Sequence, residues 1–267
     1  MNVFTVNVFT KTMRDQRRAL TGWALGMAAL VLLYASFYPS IKGNESLNEY
    51  FDTLPEAVRN MVGCIDFSSP TCYIQSEIFS IMGPLLLMIL AIGTGARAIA
   101  GEEEAGTLDL LLANPIARRR VVLEKFWAMV AATIGVGVVM WAAIAAFGPP
   151  FGLHLGLANL GEAVLAAVLM AIGFGAGALA MGCWLGKRGL AIAVVTSVAV
   201  VTYLLNVLAP SVDAVRSLQK LSPFYYYIDN DPLRNGLDPV HALVLVLIAA
   251  AGLGLALFAF ERRDLTT

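Results

Sequence analysis

Residues 97–120 read Arg97-Ala-Ile-Ala-Gly-Glu-Glu-Glu-Ala-Gly-Thr-Leu-Asp-Leu-Leu-Leu-Ala-Asn-Pro-Ile-Ala-Arg-Arg-Arg120. This stretch, called the elbow from here on, is charged, contains glycine and proline, and lies between two long apolar runs. Most of the remaining chain is apolar enough to sit in lipid. The elbow therefore predicts an integral membrane protein that presents a short, structured, charged segment on one side of the bilayer, where a cytosolic partner can bind it.

The composition excludes an ordinary soluble domain. Of the 267 residues, 58% are hydrophobic and 14% are charged, and the mean hydropathy is +0.74. Soluble domains carry about 25% charged residues. The net charge of −1 provides no bulk attraction to nucleic acid. We therefore expect an all-α integral membrane protein.

Six apolar runs are long enough to cross a bilayer, which takes roughly 20 mostly apolar residues. They lie at about 19–39, 78–96, 126–147, 163–186, 189–209 and 240–260. The expected organisation is an interfacial amphipathic helix over 1–18, followed by a single six-helix transmembrane domain over 19–267. In this domain the elbow joins the second and third spans, and two outer loops cover 40–77 and 210–239.

The distribution of basic residues predicts the orientation of the spans. Of the 18 Lys and Arg residues, 13 fall in the N-terminal segment, the segment between the second and third spans, the turn at 187–188 and the C-terminal segment. Cytosolic segments of membrane proteins carry such an excess. We expect a multi-pass protein of the cell membrane, plasma or inner, with both termini in the cytoplasm. We also expect the first span to be a retained helix and not a cleaved signal peptide.

The first eighteen residues have the pattern of a basic amphipathic helix. Asn7, Lys11, Arg14 and Arg18 recur at helical spacing, with apolar residues on other faces. Such a helix beside a membrane is typical of a segment that lies in the interface plane. The alternative is a frayed arm whose positive charges are attracted to lipid.

Two cysteines, Cys64 and Cys72, fall in the first outer loop. The compartment there permits a disulfide between them, and two unpaired thiols in a partly buried loop are the alternative. The third, Cys183, lies inside the fourth span and is expected to pack there.

Small residues also recur at the spacing of close helix contacts. Gly22-x-x-x-Gly26 lies in the first span and Gly173-x-x-x-Gly177 in the fourth. This spacing lets helix backbones approach closely. The pattern leaves open whether the contacts form within one chain or between two copies.

Within the elbow, Gly101 and Gly106 interrupt the apolar pattern and Asn114-Pro115 ends whatever follows. Thr107 is the expected N-cap of a short helix over 108–113, whose leucines share one face and must pack under the membrane helices or against a partner. Glu102 to Glu104 form an acidic patch, and Arg118 to Arg120 form a basic one. Taken separately, solvation near a helix start and anchoring of the topology explain these two patches.

Residues 99–118, followed by Val122-Leu-Glu-Lys125, resemble the elbow of ABC-2 type transporter permeases. The six spans, the N-terminal helix and the sequences Leu221-Ser-Pro-Phe224 and Pro232-Leu-Arg-Asn-Gly236 are similar to that family as well. The resemblance thus covers nearly the whole chain, and the elbow is its specific part.

The resemblance implies the permease subunit of an ATP-driven exporter. Such a subunit pairs with a second permease copy or a homologue and binds two copies of a separate ATP-binding subunit, which holds the ATP and Mg²⁺, while this chain binds no cofactor. The elbow would be the coupling helix seated in a cleft of that partner. The residues assigned to this role by the resemblance are Gly101, Glu102, Glu104, Gly106, Thr107, Leu108, Leu111, Pro115 and Arg118.

The chain is not expected to be an enzyme. It contains no Gly-x-x-x-x-Gly-Lys-Ser/Thr phosphate loop, no His-Glu-x-x-His metal helix and no Gly-x-Ser-x-Gly elbow. An ion-coupled carrier is disfavoured because the charges cluster at the span ends, with Glu162 and Arg97 as the ambiguous cases. A non-transporting anchor or sensor subunit with the same elbow is a further alternative.

The polar residues of the fifth span predict part of a substrate path. The path is expected to run between two protomers, along the second and fifth spans. Its candidate polar lining consists of Thr196, Thr202, Tyr203 and Asn206, for which hydrogen bonding between helices is the alternative role. A largely uncharged lining favours a hydrophobic or amphiphilic substrate, such as a drug, an antibiotic or a lipid.

Overall fold

The computed structural model describes residues 8–42, 53, 69–108, 116–210, 216 and 218–263, and this part of the chain is helical without a strand. Within these described ranges, six helices are long and apolar enough to cross a membrane, which confirms the all-α prediction. These are α1 Val8–Ile41, α2 Pro70–Glu104, α3 Arg118–Phe147, α4 Leu157–Leu185, α5 Arg188–Leu208 and α8 Pro239–Arg262. Two short helices, α6 Pro223–Ile228 and α7 Pro232–Asn235, lie between α5 and α8.

Helix α4 is the centre of the bundle. It contacts α2, α3, α5, α7 and α8, while α1 packs mainly on α3. Of its most apolar 18 residues, 78% are buried, against 22% for α5 and 17% for α1. The outer helices therefore leave apolar faces open, as expected of helices that border lipid or a second protein.

Close packing at the centre depends on glycine. A Cβ atom on Gly95 of α2 would stand 2.2 Å from the carbonyl oxygen of Gly175 on α4, so no side chain fits between the two backbones. The Gly173–Gly177 motif is likewise used inside the chain, against α8 and α5. By contrast, a Cβ atom on Gly22 or Gly26 would meet nothing within 4 Å.

Helix α1 is continuous from Val8 to Ile41. The predicted boundary at residue 18 is absent, because no glycine or proline interrupts residues 8–21. A helix of this length extends over about 51 Å, whereas the hydrocarbon core is about 30 Å thick. Its basic N-terminal third therefore extends beyond the hydrocarbon core as part of the same continuous helix.

Helix α2 departs from α-helical geometry just before Pro84. Residues Gln75–Met82 are π-helical, and the backbone N–H of Gly83 donates to Ile78. The Phe79 carbonyl then loses both possible helical donors, since Gly83 is engaged elsewhere and Pro84 has no N–H. Tyr227 Oη replaces them, donating to the Phe79 carbonyl at 2.6 Å.

We expect Tyr227→Phe to lower the free energy of unfolding by about 1–3 kcal/mol, because it leaves the buried Phe79 carbonyl without a donor. Tyr226→Phe, in the same short helix with its ring against His241, is the control. Thermal unfolding of the purified variants measures the difference. Equal midpoints for the two variants would contradict the role of the Tyr227 hydroxyl.

The structure describes Cys72 and Cys183. Cys72 is buried and disulfide-bonded, and Cys183 is a buried free thiol. Cys64, the predicted partner of Cys72, lies outside the described residues, so the pairing stays a prediction. Cys183 belongs to the main hydrophobic core, which agrees with the predicted packing role.

Candidate functional site

The elbow begins where α2 ends in a tight, hydrogen-bonded turn. Gly106 has a φ of +66°, which a residue without Cβ adopts without strain. Its N–H donates to the Glu103 carbonyl at 3.0 Å, and the Thr107 N–H donates to the Glu102 carbonyl at 2.9 Å. This pair of bonds is a Schellman motif, in which a left-handed glycine ends a helix.

Thr107 belongs to this turn. Its hydroxyl donates to the Glu102 carbonyl and, at 2.5 Å, to Glu102 Oε2. The hydroxyl thus stabilises the end of α2, whereas the sequence predicted an N-cap for the next helix. Of that helix, residues 109–113 lie outside the described residues, as do the predicted site residues Leu111 and Pro115.

Leu108 points into the protein. It is 3% exposed and belongs to the main hydrophobic core. The sequence left open whether this leucine packs under the membrane helices or on a partner, and the structure places it under the helices. A partner that binds the elbow therefore finds Leu108 already covered.

The three successive glutamates at the end of α2 contact three different parts of the chain. Glu102 Oε1 accepts from Lys125 Nζ on α3 at 2.6 Å. Glu103 accepts two hydrogen bonds from the Arg263 guanidinium, just after α8, at 2.6 and 2.9 Å. Consecutive helical residues are rotated by about 100°, so three neighbours point in three directions.

The third glutamate reaches the turn between α4 and α5. Glu104 Oε1 accepts from the backbone N–H of Arg188, the first residue of α5, at 2.9 Å. A carboxylate at this place pairs with a free backbone donor and with the positive end of the helix dipole. The acidic patch predicted from sequence is thus largely engaged inside the chain.

The three arginines at the start of α3 also form hydrogen bonds or ion pairs within the chain. Arg118 Nη1 donates to the carbonyls of Phe260 and Arg263, at 3.4 and 3.0 Å, and so caps the end of α8. Arg119 forms an ion pair with Glu261 of α8. These contacts attach the C-terminal end of α8 to the elbow.

The last of the three, Arg120, completes a link to the N-terminus. It pairs with Glu124 one turn further along α3, at 2.7 Å, and Glu124 Oε2 accepts from the backbone N–H of Phe9 at 3.1 Å. The start of α1 is thereby held beside the elbow. Together these bonds connect the elbow to the ends of α1, α3, α5 and α8.

A polar cleft of about 190 Å³ opens between α1 and the elbow. Residues from α1, from the end of α2 and from α3 line it, among them Asp15, Arg97, Glu102 and Lys125. Gly101 also lines this cleft, and a Cβ atom there would stand 2.7 Å from Arg97 Cγ. The cleft thus brings the start of α1 beside the elbow, the segment that the sequence predicted to contact a partner.

Several residues of the elbow face solvent. Among the described residues of the elbow, those exposed are Arg97, Glu104, Ala105, Gly106, Thr107, Ala117, Arg119 and Arg120. Sequence patterns did not indicate Lys125 and Arg263 as partners of Glu102 and Glu103, because a basic residue at a span end has the same appearance whether it anchors topology or forms an ion pair. Arg188 donates to Glu104 through its backbone N–H, which no side-chain pattern indicates.

A second feature is a groove between α2 and α5. Of the polar residues predicted to line a substrate path, Thr196 and Tyr203 line this groove. Thr202 donates its hydroxyl to the carbonyls of Val198 and Ala199 in its own helix. Asn206 Oδ1 accepts from Gln219 Nε2 at 3.3 Å, which is the alternative role of hydrogen bonding between elements.

The end of the bundle opposite the elbow is closed by residues 223–237. Asn159 Nδ2 donates to the carbonyls of Leu233 and Arg234, at 3.2 and 3.1 Å. Glu162 Oε2 accepts from the Leu237 N–H at 2.6 Å. Glu162, ambiguous in the sequence, thus holds a loop backbone, and this use gives no support to ion coupling.

Tyr225, Tyr227 and Asp231 of this closing segment have raised pKa values. Burial raises the pKa of the Tyr227 phenol, which therefore stays a hydrogen-bond donor. Partial burial also raises the pKa of the Asp231 carboxyl, against the lowering effect of Arg234. Among the residues that the structure describes, no group of His, Cys, Asp and Glu side chains could hold a metal ion.

The comparison with known families covers almost the entire chain. A family model described as ABC-2 family transporter protein matches residues 6–265. No curated protein matches the sequence.

Proposed function

The chain belongs to the ABC-2 family of transporter proteins, and from this we propose that it is the permease subunit of an ATP-driven exporter. The family identifies it as a membrane subunit of a transporter and not as the ATPase. Members of the family generally work with an ABC-type ATP-binding subunit. The proposal adds the direction of transport, the energy source and the residues that receive the motion.

The observation that carries the proposal is the set of contacts made by the elbow. Glu102 is bonded to α3, Glu103 to the residue just after α8 and Glu104 to the first residue of α5. A displacement of the elbow by a partner would therefore shift the ends of several spans together. This arrangement supports a coupling role, with the motion supplied from outside the chain.

In this proposal two copies of the ATP-binding subunit hold ATP and Mg²⁺, and a second permease copy or homologue completes the path. The elbow and both termini face the cytoplasm of a plasma or inner membrane. The groove between α2 and α5, with its predominantly apolar wall, supports a hydrophobic or amphiphilic substrate.

The docking role of the elbow can be tested at Ala105, an exposed residue of the turn. Charge reversal at Glu102 or Glu104 would change bonds within the chain as well, so it is a less specific test. A tryptophan at Ala105 adds bulk where a partner would sit. We expect Ala105→Trp to reduce copurification of an ATP-binding subunit from native membranes by about tenfold, as the loss of a central contact does in other interfaces.

Ala158→Trp is the matched control, since Ala158 is also exposed but lies near the opposite end, at the start of α4. It should leave copurification unchanged, and both variants should insert into the membrane to the same extent. Mass spectrometry of the purified material identifies the companion. If no nucleotide-binding protein accompanies the wild-type chain, the ATP-driven mechanism is refuted.

A further inference from the structure

The groove between α2 and α5 has a volume of about 390 Å³. This volume falls within the range of small-molecule sites, about 300–1,000 Å³. Its walls are mainly aliphatic side chains from both helices, including Leu85, Met88, Ile92, Ile192 and Val200. An apolar ligand body fits such a wall, and a soluble, fully hydrated ion does not.

One end of the groove carries a positive charge. Arg188 lines it at the elbow end. The Arg188 Nε is buried and has no hydrogen-bond partner among the described residues, and no ion pair found in this part of the chain includes Arg188. Glu104 bonds the Arg188 backbone N–H and not its side chain, so the guanidinium has no carboxylate partner among the residues that the structure describes.

The neighbouring basic residues differ from Arg188 because none of them lines the groove. Lys125 and Arg263 are paired with Glu102 and Glu103, and neither lines the groove. Lys187 is exposed and does not line it either. Among these four basic residues, Arg188 is therefore the one whose guanidinium lines the apolar groove and has no partner in the described part of the chain.

The groove is elongated. Arg188 and Tyr203 both line it and are 15 residues apart on α5, which corresponds to about 22 Å along the helix axis. The hydrocarbon core of a bilayer is about 30 Å thick. Tyr203 Oη, near the far end, is also buried without a partner in the described part of the chain.

We infer that the groove binds a membrane lipid with an anionic head group, which pairs with Arg188 while an acyl chain lies along α2 and α5. Basic pockets between membrane helices are known to bind such head groups. A neutral apolar ligand would fill the wall and leave the guanidinium unpaired. This inference rests on the proposed function, since it specifies the amphiphile that the exporter takes up.

The test uses the purified full-length chain in phosphatidylcholine vesicles. Spin-labelled phosphatidylglycerol and phosphatidylcholine, labelled at the same acyl position, are compared by the motionally restricted fraction in their EPR spectra. We expect phosphatidylglycerol to associate about tenfold more strongly than phosphatidylcholine, in line with a charge-assisted hydrogen bond. Arg188→Gln should remove this preference while keeping the backbone bond to Glu104.

Two further variants separate the contribution of the Arg188 charge from that of the space inside the groove. Lys187→Gln removes the neighbouring charge outside the groove and should keep the preference. Thr196→Trp, in the middle of the groove, should remove the restricted phosphatidylglycerol population even with Arg188 present. A preference unchanged in Arg188→Gln overturns the inference, because the selectivity would then arise from general attraction at the protein surface.

The measurement involves no ATP-binding subunit, so it fails independently of the proposed function. If the wild-type chain shows no lipid preference but copurifies with an ATP-binding subunit, the lipid inference is overturned and the exporter proposal stands. If the preference is present and no such subunit is found, the exporter proposal is overturned and the lipid site stands.

Discussion

Valine in place of Gly95 will prevent the chain from folding into a stable bundle. A Cβ atom at this position would stand 2.2 Å from the Gly175 carbonyl oxygen and 3.2 Å from Met129 Sδ. The first of these neighbours is the backbone of the central helix, which cannot move without displacing every helix packed on it. We expect a loss of about 3 kcal/mol or more, at the upper end of overpacking effects.

The readout is the yield of monodisperse protein in mild detergent, together with its thermal unfolding midpoint. Gly135→Val is the matched control, because Gly135 also lies within a span and a Cβ atom there would meet nothing within 4 Å. Helix propensity makes this control neutral to within about 1 kcal/mol. Equal yields from the two variants would contradict the close contact between α2 and α4.

Lys125→Met will loosen the elbow, with the second largest effect. The Lys125 side chain is 8% exposed and its partner Glu102 is 24% exposed, so the substitution leaves a poorly hydrated carboxylate without a cation. Removing one partner from a fully buried pair costs about 3–5 kcal/mol, and partial exposure reduces this to about 2 kcal/mol here. Copurification of the ATP-binding subunit should fall as well, because the end of α2 is no longer held against α3.

A second substitution tests this explanation. Glu102→Gln in the Lys125→Met background removes the unpaired charge and should restore most of the stability lost. The control is Arg120→Met, whose ion pair with Glu124 is half exposed on the arginine side; it should change stability by less than about 1 kcal/mol. Additive effects of the Lys125 and Glu102 substitutions would show that the two side chains do not stabilise each other.

The sequence predicted the elbow as a segment but not the use of its charges. Glu102, Glu103 and Glu104 form an acidic run that suggests a patch for a partner. In the structure they bond to α3, to the segment after α8 and to the start of α5. These partners lie 23, 160 and 84 residues away in the chain, so no local pattern indicates them.

Glycine and leucine residues show the same difference between what the sequence pattern predicts and what the structure places beside each residue. Gly22 and Gly26 form the more obvious motif, yet they face open space, while Gly95 sits at the closest helix contact. Leu108 has the spacing of a docking face, yet it is buried in the core. Spacing shows which residues share a face of a helix, and only the packed bundle shows what covers that face.

The amino-acid sequence alone determined three features of this protein: six apolar helices, a charged turn after the second of them, and membership in a transporter family. Those features depend on the hydrophobicity and length of single segments, which a bilayer selects one at a time. Tertiary structure decided the ion pairs of the elbow, the Tyr227 bond to Phe79 and the groove with Arg188 at its end. Each of these requires residues far apart in the chain to meet, and their meeting depends on how closely the small residues of α4 let its neighbours approach.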